Sequence, residues 1–208
     1  MDRFRDRREA GRMLGERLSE HPRPDAVVLG LPRGGVPVAA EVATILHAPL
    51  DVLVVRKVGA PGHAEFAIGA VGEDGARVLN DGAHRYADEA LITEGIEREA
   101  AEVARRVELF RDGAPAADLR GRTAIVIDDG VATGATARAG CAIARARGAA
   151  SVVFATPVAA PDSLPGIPAD EVVCLSAPTG FMAVGMHYVD FRQTSDSEVI
   201  ALLRAARD

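Results

Sequence analysis

The feature that most constrains this chain is a short apolar run that stops at two adjacent aspartates and passes into a loop of small residues. It reads Ala124-Ile-Val-Ile-Asp-Asp-Gly-Val-Ala-Thr-Gly-Ala-Thr136. Four apolar residues, three of them β-branched and bounded by charge, suit a fully buried strand. From Ala135 to Arg147 the composition is Ala-rich and helical, so the loop feeds a helix N-terminus. Small residues such as Thr133, Gly134 and Ala135 let a ligand approach the backbone, and successive N–H groups at a helix start attract an anion. Thr133 and Thr136 add hydroxyl donors. The carboxylates of Asp128 and Asp129 would repel a bare phosphate and require instead hydroxyl groups or a metal. A sugar phosphate with free hydroxyls satisfies both demands.

Apolar runs and helical patterns alternate along the rest of the chain. Strands are expected at Ala26–Gly30, Asp51–Val55, Ser151–Thr156 and Glu171–Leu175. Helices are expected at Arg8–Leu18, Val36–Leu46, Thr93–Phe110 and Asp196–Ala206, the last with a capping box of Ser195 and Glu198. Ala67–Val71 and Ala76–Leu79 read as a short hairpin around Glu73-Asp-Gly75. The expected fold is α/β, a doubly wound and mostly parallel sheet with an inserted long helix at Thr93–Phe110 and a C-terminal hood. A length of 208 residues fits a single domain 1–208, with a core over about 20–160 and the hood over about 161–208.

Composition excludes several classes. With 48% hydrophobic and 26% charged residues the chain is globular rather than disordered. No apolar run approaches the ~20 residues that span a bilayer. The opening Met1-Asp-Arg-Phe-Arg-Asp-Arg-Arg lacks the apolar core of a secretion signal, so cytoplasm is the expected compartment. Cys141 and Cys174 have no metal-type spacing and read as small buried hydrophobes. A net charge of −6 argues against a nucleic-acid footprint. Walker, Gly-x-Gly-x-x-Gly, His-Glu-x-x-His and Gly-x-Ser-x-Gly motifs are all absent. Of the 24 basic side chains only Lys57 is a lysine.

In a doubly wound sheet, ligands gather beyond the carboxyl ends of the strands. Two further loops qualify there. Gly30-Leu-Pro-Arg-Gly-Gly35 places Gly34 and Gly35, which permit unusual backbone angles, beside the fixed positive fork of Arg33. Arg56-Lys-Val-Gly-Ala-Pro-Gly62 follows the next strand. Glu65, a little further along, is a candidate contact for a base or a metal.

Strand, acidic pair and Ala-Thr-Gly-x-Thr together resemble the phosphoribosyl pyrophosphate (PRPP) signature of type I phosphoribosyltransferases. The resemblance implies that Asp128 and Asp129 hold the ribose 2- and 3-hydroxyls. It assigns the 5-phosphate to Ala132, Thr133, Gly134, Ala135 and Thr136. Gly130 departs from the family, which usually has an apolar residue there. Leu-Pro-Arg-Gly-Gly is similar to the family's pyrophosphate loop, often built around a non-proline cis peptide, which brings in Arg33, Gly34 and Gly35. Arg56 and Lys57 resemble the start of the mobile catalytic loop, most like that of adenine enzymes. The implied activity is Mg²⁺-dependent transfer of phosphoribose from PRPP to a nitrogenous base, with Arg56, Lys57, Asp128 and Asp129 carrying catalysis. A homodimer is the expected assembly, with no nucleic-acid or membrane partner.

Phe181-x-x-Val184-Gly185…Asp190-Phe191 is similar to the hood of 6-oxopurine enzymes, with spacings that differ by a residue. By that likeness Phe181 or Tyr188 stacks on the base and Asp190 serves the metal. Ala132, by contrast, stands where 6-oxopurine enzymes carry an aspartate and adenine enzymes an alanine, so the base stays undecided. The alternative is a regulator that binds PRPP or nucleotides with little or no catalysis. Retention of Arg56-Lys57 and of both glycine loops favours the enzyme.

Overall fold

The computed structural model describes residues 3–60, 63–80 and 82–207. Pro61 and Gly62 of the second glycine loop, and the side chain of Glu65, lie outside the described residues. Five strands, β1 (Val27–Gly30), β2 (Leu50–Val52), β6 (Thr123–Ile127), β7 (Ser151–Val158) and β8 (Glu171–Ser176), form one parallel sheet in the order β2-β1-β6-β7-β8. Three more, β3 (Arg56–Ala60), β4 (His63–Val71) and β5 (Arg77–Leu79), form a separate antiparallel ribbon.

The sheet is apolar on both faces, as a parallel sheet wrapped by helices must be. Strand alternation divides its side chains between two cores. Val28, Ile125 and Val153 face α1 (Arg7–Ser19), α2 (Gly35–Leu46), α3 (Glu89–Arg111) and α5 (Asp196–Ala205). Leu29, Val126 and Phe154 face α4 (Ala135–Ala146). Cys141 is fully buried in this second core, and its burial pushes the thiol up to about 12. Both cysteines are free.

The winding reverses between β1 and β6: the chain leaves β1 for β2 on one side and later returns to place β6 on the other. That reversal opens a crevice at the carboxyl edge between two neighbouring strands. The loop after β1 and the acidic pair after β6 meet there, and the Leu31 N–H donates to the Ile127 carbonyl at 2.8 Å.

Two expectations are corrected. Arg56–Ala60 is not a loop but strand β3, with Arg56 opposite Val71 and Lys57 opposite Ala70. The glycine and proline spacing suggested a loop, yet β4 supplies a ladder partner, with its register shifting around Gly59, and Val58 is buried against α3. The hood does not begin near 161. Strand β8 pairs with β7 inside the main sheet, and α5 packs on α2 and α3. The aromatic cluster that remains joins residues 181–191 to Phe4 from the other end of the chain.

A buried ion cluster fixes the ribbon to the sheet. Arg111, at the end of α3, grips Asp51 of β2 through two 2.9 Å hydrogen bonds and donates to Glu73 at 2.5 Å, with all three side chains at most 5% exposed. Asp51 also accepts the Ala117 N–H, and Glu73 accepts the Val54 N–H. Each carboxylate is therefore satisfied by an ion and by backbone donors, which is what a buried charge requires.

Candidate active site

Strand β6 ends at Ile127 and delivers Asp128 and Asp129, half-buried, to the crevice. Asp128 Oδ1 accepts the Asp129 N–H at 3.0 Å. Burial raises both carboxyls above the ordinary aspartate value; for Asp128 the neighbouring charge of Asp129 adds to the rise, while for Asp129 the charge of Arg7 opposes it. Beyond Val131, Ala132 and Thr133 are exposed, and Gly134 takes a left-handed φ of 75° that turns the chain into α4. Gly134 has no side chain to cap that helix; the Thr133 hydroxyl accepts the Ala135 N–H at 3.4 Å, and the first turn carries the exposed hydroxyl of Thr136.

The loop after β1 contains a cis peptide between Pro32 and Arg33. Its two glycines serve closeness rather than unusual angles. Gly34 sits at φ −61° and ψ −32°, ordinary helical values, and Gly35 is the first residue of α2. A Cβ on Gly34 would lie 2.0 Å from Asp129 Oδ2, and one on Gly35 would lie 2.4 Å from the Ile127 carbonyl oxygen. Arg33 reaches Asp196 at the start of α5, at 3.4 Å.

Arg56 and Lys57 open the ribbon beside this loop. The Arg56 guanidinium is held at 3.0 Å by Glu99 of α3, while Lys57 is exposed. Both line a cavity of about 170 Å³ with Pro32 and Thr136. Lys57 also lines a larger cavity of about 610 Å³ with Thr133, Ala135 and Arg138. The two basic residues and the two signature loops are thus neighbours, as their sequence positions alone could not guarantee.

The hood residues are arranged otherwise than expected. Tyr188 is 2% exposed, packed between Phe4 and Phe191 at ring separations of 5.5 and 5.0 Å, so neither ring face is open to a base. Its hydroxyl donates to the Asp129 carbonyl at 2.6 Å, and burial pushes the phenol well above its usual value. Tyr188 is a strut beneath the acidic pair. Phe181 stacks on His187 at 5.4 Å. Asp190 is engaged by Arg192 through bonds as short as 2.6 Å, which hold its carboxyl below the usual range.

Sequence reasoning missed Arg7. Its Nε donates to Asp129 Oδ2 at 2.7 Å, with both side chains nearly buried. The guanidinium also lies 4.0 Å above the centre of the Phe191 ring and donates to the Arg192 carbonyl at 2.7 Å. The acidic pair is therefore half neutralised from within. Nothing in the arginine-rich run at the start of the chain singled this arginine out, because its partner is 122 residues away.

Among the described residues no group of three or more His, Cys, Asp or Glu could hold a metal ion. With Asp190 tied to Arg192 and Asp129 to Arg7, the donor set does not fit a magnesium ion bound by protein alone. It fits only one that brings most of its ligands with it and meets one or two carboxylates, the usual habit of that ion.

The family model of the phosphoribosyl transferase domain matches residues 7–189. The chain belongs to the phosphoribosyl transferase domain family. The matched span runs from Arg7 through the acidic pair to Val189 of the hood. Two Mycobacterium tuberculosis proteins, MT0597 and Rv0571c, each carrying a provisional phosphoribosyl transferase name, are 53% identical over 213 residues and cover 100% of the chain. The chain spans 48% of their length, about half of these curated relatives. The crystal structure of TT1426 from Thermus thermophilus is 48% identical, superposes with a TM-score of 0.91 and covers 97% of both chains. No helix among the described residues is long and apolar enough to cross a membrane.

Proposed function

We propose that this chain transfers phosphoribose from PRPP to a nitrogenous base and releases pyrophosphate. The observation that carries the reading is the half-buried pair Asp128 and Asp129 at the sheet's reversal point. It stands between the glycine start of α4 and a glycine loop packed against the Asp129 side chain. Carboxylates there accept from the ribose hydroxyls. Thr133 to Thr136 donate to the 5-phosphate through backbone and hydroxyl groups. Gly34 and Gly35 let the loop after β1 close onto the acidic pair, bringing its backbone beside the diphosphate of the donor, and Lys57 with Arg56 supplies positive charge where the leaving oxygen becomes anionic. As the C1–O bond breaks, the sugar gains positive character, which the aspartates favour, and a ring nitrogen of the base attacks the opposite face. Magnesium carried by the phosphates would add charge compensation for the diphosphate.

The exposed Ala132 leaves the signature loop without a carboxylate, so adenine-like or non-purine bases are the preferred acceptors in this reading. The test is pyrophosphate release from PRPP and Mg²⁺ across a panel of bases. Turnover with one base, abolished in Asp128→Asn, supports the proposal. Robust turnover of hypoxanthine or guanine with adenine inert removes the argument from Ala132. A second reading, a PRPP- or nucleotide-binding regulator, is favoured by one observation: Arg7 already occupies Asp129. PRPP binding without turnover of any base would select it.

A further inference from the structure

The long helix α3 reads from sequence as scaffold, yet it supplies a third cation to the small cavity beside the glycine loop. Arg106 lines the 170 Å³ space together with Arg56, Lys57, Pro32 and Thr136. Two carboxylates one turn apart on the same helix organise this wall. Glu99 holds Arg56 at 3.0 Å, and Glu102 holds Arg106 through its Nε at 2.7 Å. Glu102 is shared with Arg105, which takes both of its oxygens. The Arg106 Nη groups make no hydrogen bond among the described residues, and the side chain is about one-third exposed. Lys57 likewise makes no ion pair among the described residues. Three cations therefore border one cavity, and the carboxylates that hold two of them are those of α3.

We propose that Arg106 is a leaving-group contact, gripping the diphosphate end of the donor together with Lys57. This rests on the transferase reading and extends it to a residue outside the signature. The cavity is too small for a whole nucleotide, since pockets for ligands of that size run to ~300 Å³ or more, and so suits an inorganic anion. A planar guanidinium with Nε anchored to Glu102 presents its two remaining nitrogens in a fixed fork, the geometry that recognises phosphate oxygens bidentately. Thr136, at the first turn of α4, also lines the cavity and marks where it adjoins the phosphate loop.

The test is calorimetry with inorganic pyrophosphate, PRPP and ribose 5-phosphate, each with Mg²⁺, on the parent protein, Arg106→Gln and Arg106→Lys. Glutamine keeps helix propensity at this part-exposed site, so the variant folds. Loss of a charge-assisted contact is expected to weaken pyrophosphate and PRPP by about ten- to a hundredfold. Ribose 5-phosphate should be unchanged, and lysine should restore part of the loss. Equal pyrophosphate affinity in parent and Arg106→Gln overturns the inference while leaving the transferase reading intact. A parent that binds neither pyrophosphate nor PRPP overturns both. Pyrophosphate binding that depends on Arg106, with no base ever converted, upholds the anion contact and removes the transferase.

Discussion

Replacing Arg7 with methionine tests whether the acidic pair is held by its internal counter-ion. The Nε–Oδ2 distance of 2.7 Å puts the two charge centres roughly 4 Å apart, where an effective dielectric of about 20 gives about 4 kcal/mol of attraction. Breaking a buried pair from one side costs ~3–5 kcal/mol, and residual exposure of 12% and 14% reduces this to about 2–4 kcal/mol. The loss depends on pH in a definite sense. Burial raises the Asp129 carboxyl in the folded protein, and Arg7 opposes that rise. A group with a raised folded value stabilises fully below its unfolded value and loses that contribution as pH rises through the folded one. Without Arg7 the folded value moves further up, so the variant's deficit widens with increasing pH. Urea denaturation of the parent, Arg7→Met, Asp129→Asn and the double variant at pH 5 and pH 8 gives the coupling directly. Thermal midpoints should fall by about 10 °C at pH 8. A coupling below ~0.5 kcal/mol, with parallel pH curves, would refute the reasoning and leave Arg7 a spectator.

Asp128→Asn should be more stable than the parent at pH 8 and not at pH 4, because burial and the Asp129 charge make ionised Asp128 costly in the folded state; PRPP binding should be lost in the same variant. Lower stability at pH 8 would contradict that burial effect. Gly35→Ala should cost ~1–3 kcal/mol and abolish PRPP binding, since the new Cβ meets the Ile127 carbonyl at 2.4 Å and Asp128 Cα at 3.1 Å. Gly180→Ala, with nothing within 4 Å, is the matched control and should be silent in both calorimetry and denaturation. Arg111→Met should destabilise by ~3–5 kcal/mol by stranding Asp51, while Glu73 keeps Arg147 at 3.5 Å; urea midpoints would report the loss. Lys57→Ala should slow turnover more than it weakens PRPP binding, and equal small effects would return Lys57 to the solvated surface.

Elements with a local signature were legible. The apolar run before the acidic pair is strand β6, one residue longer than read, and Ser195 caps α5 by accepting the Glu198 N–H at 3.1 Å. What escaped was set by partners far along the chain. Arg56–Ala60 has the composition of a loop and becomes a strand only because β4 lies beside it. Asp51 is simply the first residue of an expected strand, yet Arg111, 60 residues later, makes it a buried ion. Tyr188 carried the aromatic signal of a stacking residue, but its hydroxyl found the Asp129 carbonyl and its faces found Phe4 and Phe191. Periodicity reports which face of an element is apolar; it does not report which ion or ring will arrive from elsewhere.

The Phe4–Tyr188 bridge has a consequence in time. As the chain is made, Arg7 emerges early, Asp129 much later, and Tyr188 and Phe191 later still. The parallel sheet up to β8 has its strands before the ring that supports Arg7 exists, and contacts of such long sequence separation form slowly because their loops must close first. The same cluster gathers four aromatic side chains, Phe4, Phe181, Tyr188 and Phe191, and Leu175 joins it to the larger core. The acidic pair is therefore complete only after both ends of the chain have been made and have met.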